Sequence, residues 1–217
     1  MNFAEILDLT YPLSPDCPGA PGLPGPEIEL AYKLSKNGFN MEKVNSLTHM
    51  GTHIDAPFHF VESGKKLHEI DLSQLHGKAV VVNLRYKNAG EEITPADFEK
   101  YDNGIDNSCI VILVTGWGEK RGFSEEYIYH HPYIGREGAS YLVSKDIKGV
   151  GIDHLSISGV ELDRAAAVHK ELLGNDIWIA EDVYIPEEIF SNDWNIIALP
   201  ILLKDASGGP ARIIAVR

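Results

Sequence analysis

The chain has 217 residues, 44% of them hydrophobic, and its 19 Lys and Arg against 32 Asp and Glu give a formal charge of −13. Such a composition forms a packed core and excludes disordered and fibrous classes. An acidic chain with no basic run repels a phosphate backbone, and its longest apolar stretches, 110–114 and 196–203, fall short of the roughly 20 residues that span a bilayer, so neither nucleic acid nor a membrane is an expected partner.

In chain order, the opening Met1 to Asp8 carries two acids and no basic region, which is unlike a secretory leader. The only cysteines, Cys17 and Cys109, are too few for a disulfide framework, and both features predict a cytoplasmic protein whose metal ligands, if any, are His and carboxylate. Six of the twelve prolines fall at 12, 15, 18, 21, 24 and 26, so 12–26 reads as an extended surface arm that borders a pocket, crosses to a partner subunit or simply connects strands. Buried strands are predicted at 79–84, 110–114, 150–152, 177–180, 196–199 and 213–216. Between them, Thr94-Pro95-Ala96-Asp97 predicts a capped helix to about Tyr101, and 135–144 and 165–173 also read as helical. Strands alternating with helices, after an N-terminal third of strand and loop, predict one α/β domain over 1–217 with a mixed sheet.

Three histidines fall within eleven residues, His49-Met50-Gly51-Thr52-His53-Ile54-Asp55-Ala56-Pro57-Phe58-His59. Imidazole and carboxylate together suit Zn²⁺, Mn²⁺ or Fe²⁺, and three such ligands leave positions open for water and substrate, as a catalytic site requires. Gly51, Thr52, Ile54 and Pro57 disfavour a helix, so the segment is expected to be extended or tightly turned, and along a strand all four chemical residues would share one face. The Glu of an HExxH protease is missing. His59, whose ordinary pKa is near 6.5, is the candidate for proton transfer.

On these residues the chain resembles the cyclase family, which includes bacterial kynurenine formamidases and isatin hydrolases and carries the signature H-x-G-T-H-x-D-x-P-x-H. His49 to His59 matches throughout, and weaker similarities lie in Val114-Thr115-Gly116-Trp117, Gly149-Val150-Gly151-Ile152-Asp153, His169, Glu181 and Gly209-Pro210-Ala211-Arg212. The resemblance implies a mixed sheet or barrel-like core flanked by helices, of the swivelling β/β/α type, in a homodimer or homotetramer. It also implies one or two divalent ions, Zn or Mn, per subunit: the first held by His49, His53 and Asp55, the second by Asp55, His169 and Glu181. The residues add that Asp163 can cap a helix carrying His169 from 164 to 173, and that 174–176 can turn the chain into a strand ending at Glu181.

The implied activity is hydrolysis of a small-molecule amide C–N bond, best an aryl formamide, with metal and His59 dividing the work of activation and proton transfer. Formamidases of the family resemble one another in a Pro-x-Trp-Pro-Gly segment, where this chain has Pro15-Asp16-Cys17-Pro18-Gly19. Cys17 is therefore the candidate substrate contact there, with Tyr11, Phe58 or Phe60 to replace the lost aromatic ring. The alternatives are opening of a cyclic amide, imide or lactone by the same chemistry and, in another class, a metal-stabilised binding protein without catalysis.

Overall fold

The computed structural model describes residues 4–191 and 193–217; Met1, Asn2 and Phe3, on which the reading of the N-terminus partly rests, lie outside the described residues. The elements in order are β1 (Ile6–Asp8), β2 (Glu27–Tyr32), α1 (Leu34–Asn37), β3 (Met41–Asn45), β4 (His53–Asp55), β5 (His76–Asn83), β6 (Glu92–Ile93), β7 (Cys109–Val114), α2 (Glu125–Tyr129), β8 (Tyr133–Ile134), α3 (Arg136–Ser144), β9 (Gly149–Ile152), α4 (Leu162–Leu173), β10 (Trp178–Glu181), β11 (Asn195–Pro200) and β12 (Gly208–Val216). All six strands read from the sequence are present.

The main sheet runs β1-β12-β11-β5-β7-β9-β10-β4, and a further pairing of β12 with β4 closes seven of its strands into a barrel. Strands β5, β7, β9 and β10 are parallel, whereas β4, β11 and β12 join antiparallel, so the core is mixed as expected. Strand β12 is long enough to serve two neighbours on one edge: Gly208 to Pro210 pair with β4, and Ile214 to Val216 pair with β1.

The continuous apolar run of β7 follows from burial on both faces. Cys109, Val111 and Leu113 pack outward with Leu142 of α3 and Val168 and Leu172 of α4, while Ile110, Ile112 and Val114 point inward to meet Ile54, Trp178, Ile196 and Ile213. Gly149 makes room for one of these large groups, since a Cβ there would lie 2.2 Å from the Trp178 ring.

Two helical expectations are corrected in detail. The 95–104 segment forms the reciprocal Thr94–Asp97 cap but winds as a 3₁₀ helix, Pro95–Gly104, because Asp102, Asn103 and Gly104 are poor α formers and Tyr86 and Lys87 also hold the Asp97 carboxylate. Helix α4 is capped by Glu161, not Asp163: the longer Glu161 side chain accepts from both the Asp163 and Arg164 amides and starts the helix at Leu162. Among the described residues, no helix is long and apolar enough to cross a membrane.

Candidate metal centre

Strand β4 places His53 and Asp55 on one face with Ile54 turned into the barrel interior. The strand is only three residues long. His49 reaches the same spot from a preceding turn that Gly51 closes at φ +64°, and His59 from the 3₁₀ turn Pro57–His59 that follows. Convergence is thus achieved by a turn on each side of a short strand, where a continuous strand would carry His49 and His59 away along its length. Gly208, paired with Asp55, permits the approach: a Cβ there would lie 2.5 Å from the His49 ring and 2.5 Å from the Ile54 carbonyl.

The downstream candidates arrive by tertiary pairing. Glu181 ends β10 opposite His53 in the antiparallel register, and α4 presents His169 beside it. The His53 Nε2 atom lies 3.3 Å from Asp55 Oδ1 and 3.6 Å from Glu181 Oε2; His169 Nε2 lies 3.6 Å from Asp55 Oδ2 and 3.5 Å from Glu181 Oε1. All four side chains are buried.

Their outer atoms are tied down. His53 Nδ1 donates to the Gly51 carbonyl (2.8 Å), His169 Nδ1 to the Ala165 carbonyl (2.8 Å), and Glu181 Oε1 accepts from the Ile157 amide (2.7 Å). These bonds fix the tautomers and aim both Nε2 atoms inward. His49 spans Asp55 Oδ1 at 2.6 Å and Ser207 Oγ at 2.9 Å.

The site fits a divalent cation. His53 Nε2 and Asp55 Oδ2 are buried without a hydrogen-bond partner, a costly state that a shared cation relieves. Two sets of ligand atoms lie within 4.8 Å of one another, His53 with Asp55 and Glu181, and His49 with Asp55 and His59, and Asp55 belongs to both. The residues that the resemblance groups also lie together: His49 Nδ1 and His53 Nε2 are 2.6 and 3.3 Å from Asp55 Oδ1, and His169 Nε2 lies between Asp55 and Glu181.

Charge follows this geometry. Burial works to lower the pKa of His53, but the Asp55 and Glu181 carboxylates outweigh it and raise the value to about 9. For Asp55, burial opposes ionisation and the imidazoles of His49 and His53 override it, holding the carboxyl well below its usual range. His169 is raised because Glu181 and Asp55 overcome its burial. His59 goes the other way, to about 4, because burial and the repulsion of His49, His169 and His53 exceed the pull of Asp55.

These residues form the floor of a cavity of about 570 Å³, into which His49, His53, His59, His169, Glu181 and Asp182 open. Its walls are largely apolar. Pro18, Gly19, Ala20, Pro21 and Leu23 make one side, so the proline-rich arm borders the pocket. Cys17, read from the sequence as a substrate contact, is 1% exposed and is not among the residues lining the cavity; its sulfur lies 3.4 Å from both the Ser14 amide and Arg121 Nη2. Of the three aromatic replacements, only Phe60 lines the cavity, 4.6 Å from the His59 and His169 rings between centroids.

Asp182, Tyr129 and Arg121 escaped the sequence reading. Asp182, beside Glu181, is a second acid at a strand end; the Arg121 side chain meets Tyr11, Cys17 and Asp182, all distant in sequence, and carries no local signal.

Residues 7–158 match the family model named Cyclase. The kynurenine formamidase of Bacillus cereus is 30% identical over 216 residues, spanning 99% of this chain and 98% of that protein. Among solved structures, a protein from Bacillus stearothermophilus described as a predicted metal-dependent hydrolase superposes with a TM-score of 0.80 at 26% identity, covering 98% of each chain. Isatin hydrolase A from Labrenzia aggregata shares the fold, with a TM-score of 0.86 at 23% identity over 98% of this chain and 93% of its own. With the His49 to His59 segment folded around one buried carboxylate and a relative matched from end to end, this chain belongs to the cyclase family and is a hydrolase.

Proposed function

We propose that the enzyme hydrolyses the amide bond of a small aryl formamide, using one or two Zn²⁺ or Mn²⁺ ions per subunit. The observation that carries this reading is a cluster of buried imidazoles and carboxylates, two of its atoms unpartnered, on the floor of an apolar cavity edged by Phe60. The enzyme acts on carbon–nitrogen bonds other than peptide bonds. His49, His53, Asp55, His169 and Glu181 would hold the metal, which when bound supplies Lewis acidity towards the carbonyl oxygen and water.

The protein's own groups do the rest. The rigid hydrogen bonds behind His53, His169 and Glu181 keep the ligands preorganised. Phe60 offers its ring to the aryl group, and the apolar walls exclude bulk water. His59 takes a proton from the attacking water and delivers it to the departing nitrogen, which cannot leave as an amide anion. Water oxygen bonds to the formyl carbon, the C–N bond breaks, and formate and an aryl amine are released.

A cytoplasmic setting is part of the proposal and is supported by two buried free thiols. Assembly as a homo-oligomer is supported by the β2–β3 ribbon, on which Ile28, Leu30, Tyr32, Met41 and Val44 are exposed and Ile28 pairs with Val44, Tyr32 with Met41.

A panel of aryl formamides, cyclic imides and lactones, assayed with added Zn²⁺ and Mn²⁺, tests the proposal. Release of formate from the aryl formamides is expected. Turnover of the cyclic substrates alone would replace this reading with ring opening, and an inert protein that still binds metal would be the non-catalytic alternative.

A further inference from the structure

Behind the cavity floor a single cation connects three segments of the chain. The Arg121 guanidinium, on the loop after the 3₁₀ turn Trp117–Lys120, forks onto Asp182, with Nε 2.8 Å from Oδ1 and Nη2 2.6 Å from Oδ2. The same Nη2 lies 3.4 Å from the Cys17 sulfur, and the guanidinium covers the Tyr11 ring at 4.4 Å.

Each contact ends next to the site. Asp182 follows Glu181 directly and holds φ +54°, a left-handed conformation unusual for a non-glycine residue. Its carbonyl accepts from Thr52 Oγ1 and its amide donates to the His154 carbonyl. Thr52 directly precedes His53 and accepts from the Tyr11 amide. Cys17 directly precedes the Pro18 to Pro21 wall. The Asp182 side chain is 3% exposed and that of Arg121 16%, so solvent does little to screen the pair.

We infer that Arg121 is a positioning residue: through Asp182, Cys17 and Tyr11 it fixes the end of β10 that presents Glu181, the start of β4 that presents His53, and the arm that walls the cavity. A planar fork suits this task, because its donors meet a carboxylate and a sulfur at fixed angles. The inference rests on the metal reading of Glu181 and His53 and adds to it the part that holds them in register.

Arg121→Met alone would strand a buried Asp182 charge and confuse instability with mispositioning. The informative protein is the double variant Arg121→Met with Asp182→Asn, which buries no charge and keeps a side chain that tolerates left-handed backbone. It is expected to melt close to wild type while its Zn²⁺ dissociation constant, read by competition with a chelating dye, weakens by about 10- to 100-fold. Arg121→Lys, which keeps the charge without the fork, should fall between the two. Amide hydrogen exchange is expected to quicken over residues 12–21 and 52–55 in the double variant. A folded double variant with wild-type Zn²⁺ affinity and unchanged exchange would overturn the inference. Wild-type protein that takes up no Zn²⁺ would instead count against the metal centre, and the exchange measurement would still decide whether Arg121 holds these segments.

Discussion

The rings of His49 and His59 stack with centroids 3.8 Å apart and planes 22° from parallel. His49 is committed to Asp55 and Ser207 by its two ring nitrogens, which leaves His59 as the member of the stack free to exchange with substrate. His59→Ala is therefore expected to keep its metal and lose about 10² to 10⁴ in kcat, with one limb missing from the pH profile of kcat/KM. Elemental analysis alongside kinetics checks it: loss of metal with activity would make His59 a ligand.

Asp55 belongs to both candidate ligand sets, so its removal should be felt at both. Asp55→Asn is expected to abolish stoichiometric metal, and His53→Ala to lose metal through the set shared with Glu181. Mass spectrometry of metal content on purified protein is the measurement. Equal occupancy in wild type and both variants would refute the assignment.

Phe60 is an aromatic side chain lining the cavity, packed on His59 and His169. An aromatic contact contributes about 0.5 to 1.5 kcal/mol beyond burial, so Phe60→Leu should raise KM for an aryl formamide by roughly 2- to 12-fold relative to an aliphatic one. A parallel change for both substrates would show that Phe60 does not read the ring.

A second histidine pair lies away from the metal cluster. His131 and His154 are buried and stack at 3.4 Å; burial pushes His154 down to about 4, and burial together with the His154 charge pushes His131 down to about 2. Both are neutral when folded and take up protons only on unfolding once the pH drops below the ordinary value near 6.5. Their contribution is intact above pH 6.5 and is lost as the pH falls towards about 4, at roughly 1.4 kcal/mol per pH unit for each group. His131→Phe should therefore lose less stability between pH 7 and pH 5 than wild type, by about 2 kcal/mol, in urea titrations at the two pH values. An unchanged pH dependence would show that His131 is not the group responsible.

The exposed ribbon face predicts self-association through β2 and β3. Ile28→Glu with Val44→Glu, which charges two paired positions, should shift the protein to monomer in sedimentation experiments without lowering its melting temperature. A wild-type monomer would remove the basis for this prediction.

The parallel strands were legible because burial on both faces demands apolar runs such as Cys109–Val114, and the His49 to His59 part of the candidate metal centre because it sits within eleven residues. Closure of the barrel was implied by the resemblance and not by the residues alone, since it depends on Gly208 pairing with Asp55, and glycine at 208 reports only that something approaches closely. The β2–β3 ribbon was missed because neither strand buries a face in this chain, so the alternation is weakly marked. The direction of the Cys17 side chain was set by Arg121, a partner that no local pattern discloses.

The pairing of β4 has a temporal side. Both of its sheet neighbours, β10 and β12, are made long after it, so His53-Ile54-Asp55 leaves the ribosome as a strand with neither edge satisfied. Contacts between segments so distant in sequence form slowly. The parallel strands β5, β7 and β9 can assemble first on their own helices, while the chemistry-bearing strand waits for the final hairpin to slide in beside it. Metal uptake, which needs β4 held between β10 and β12, is therefore expected to follow the pairing of β12 and to report it.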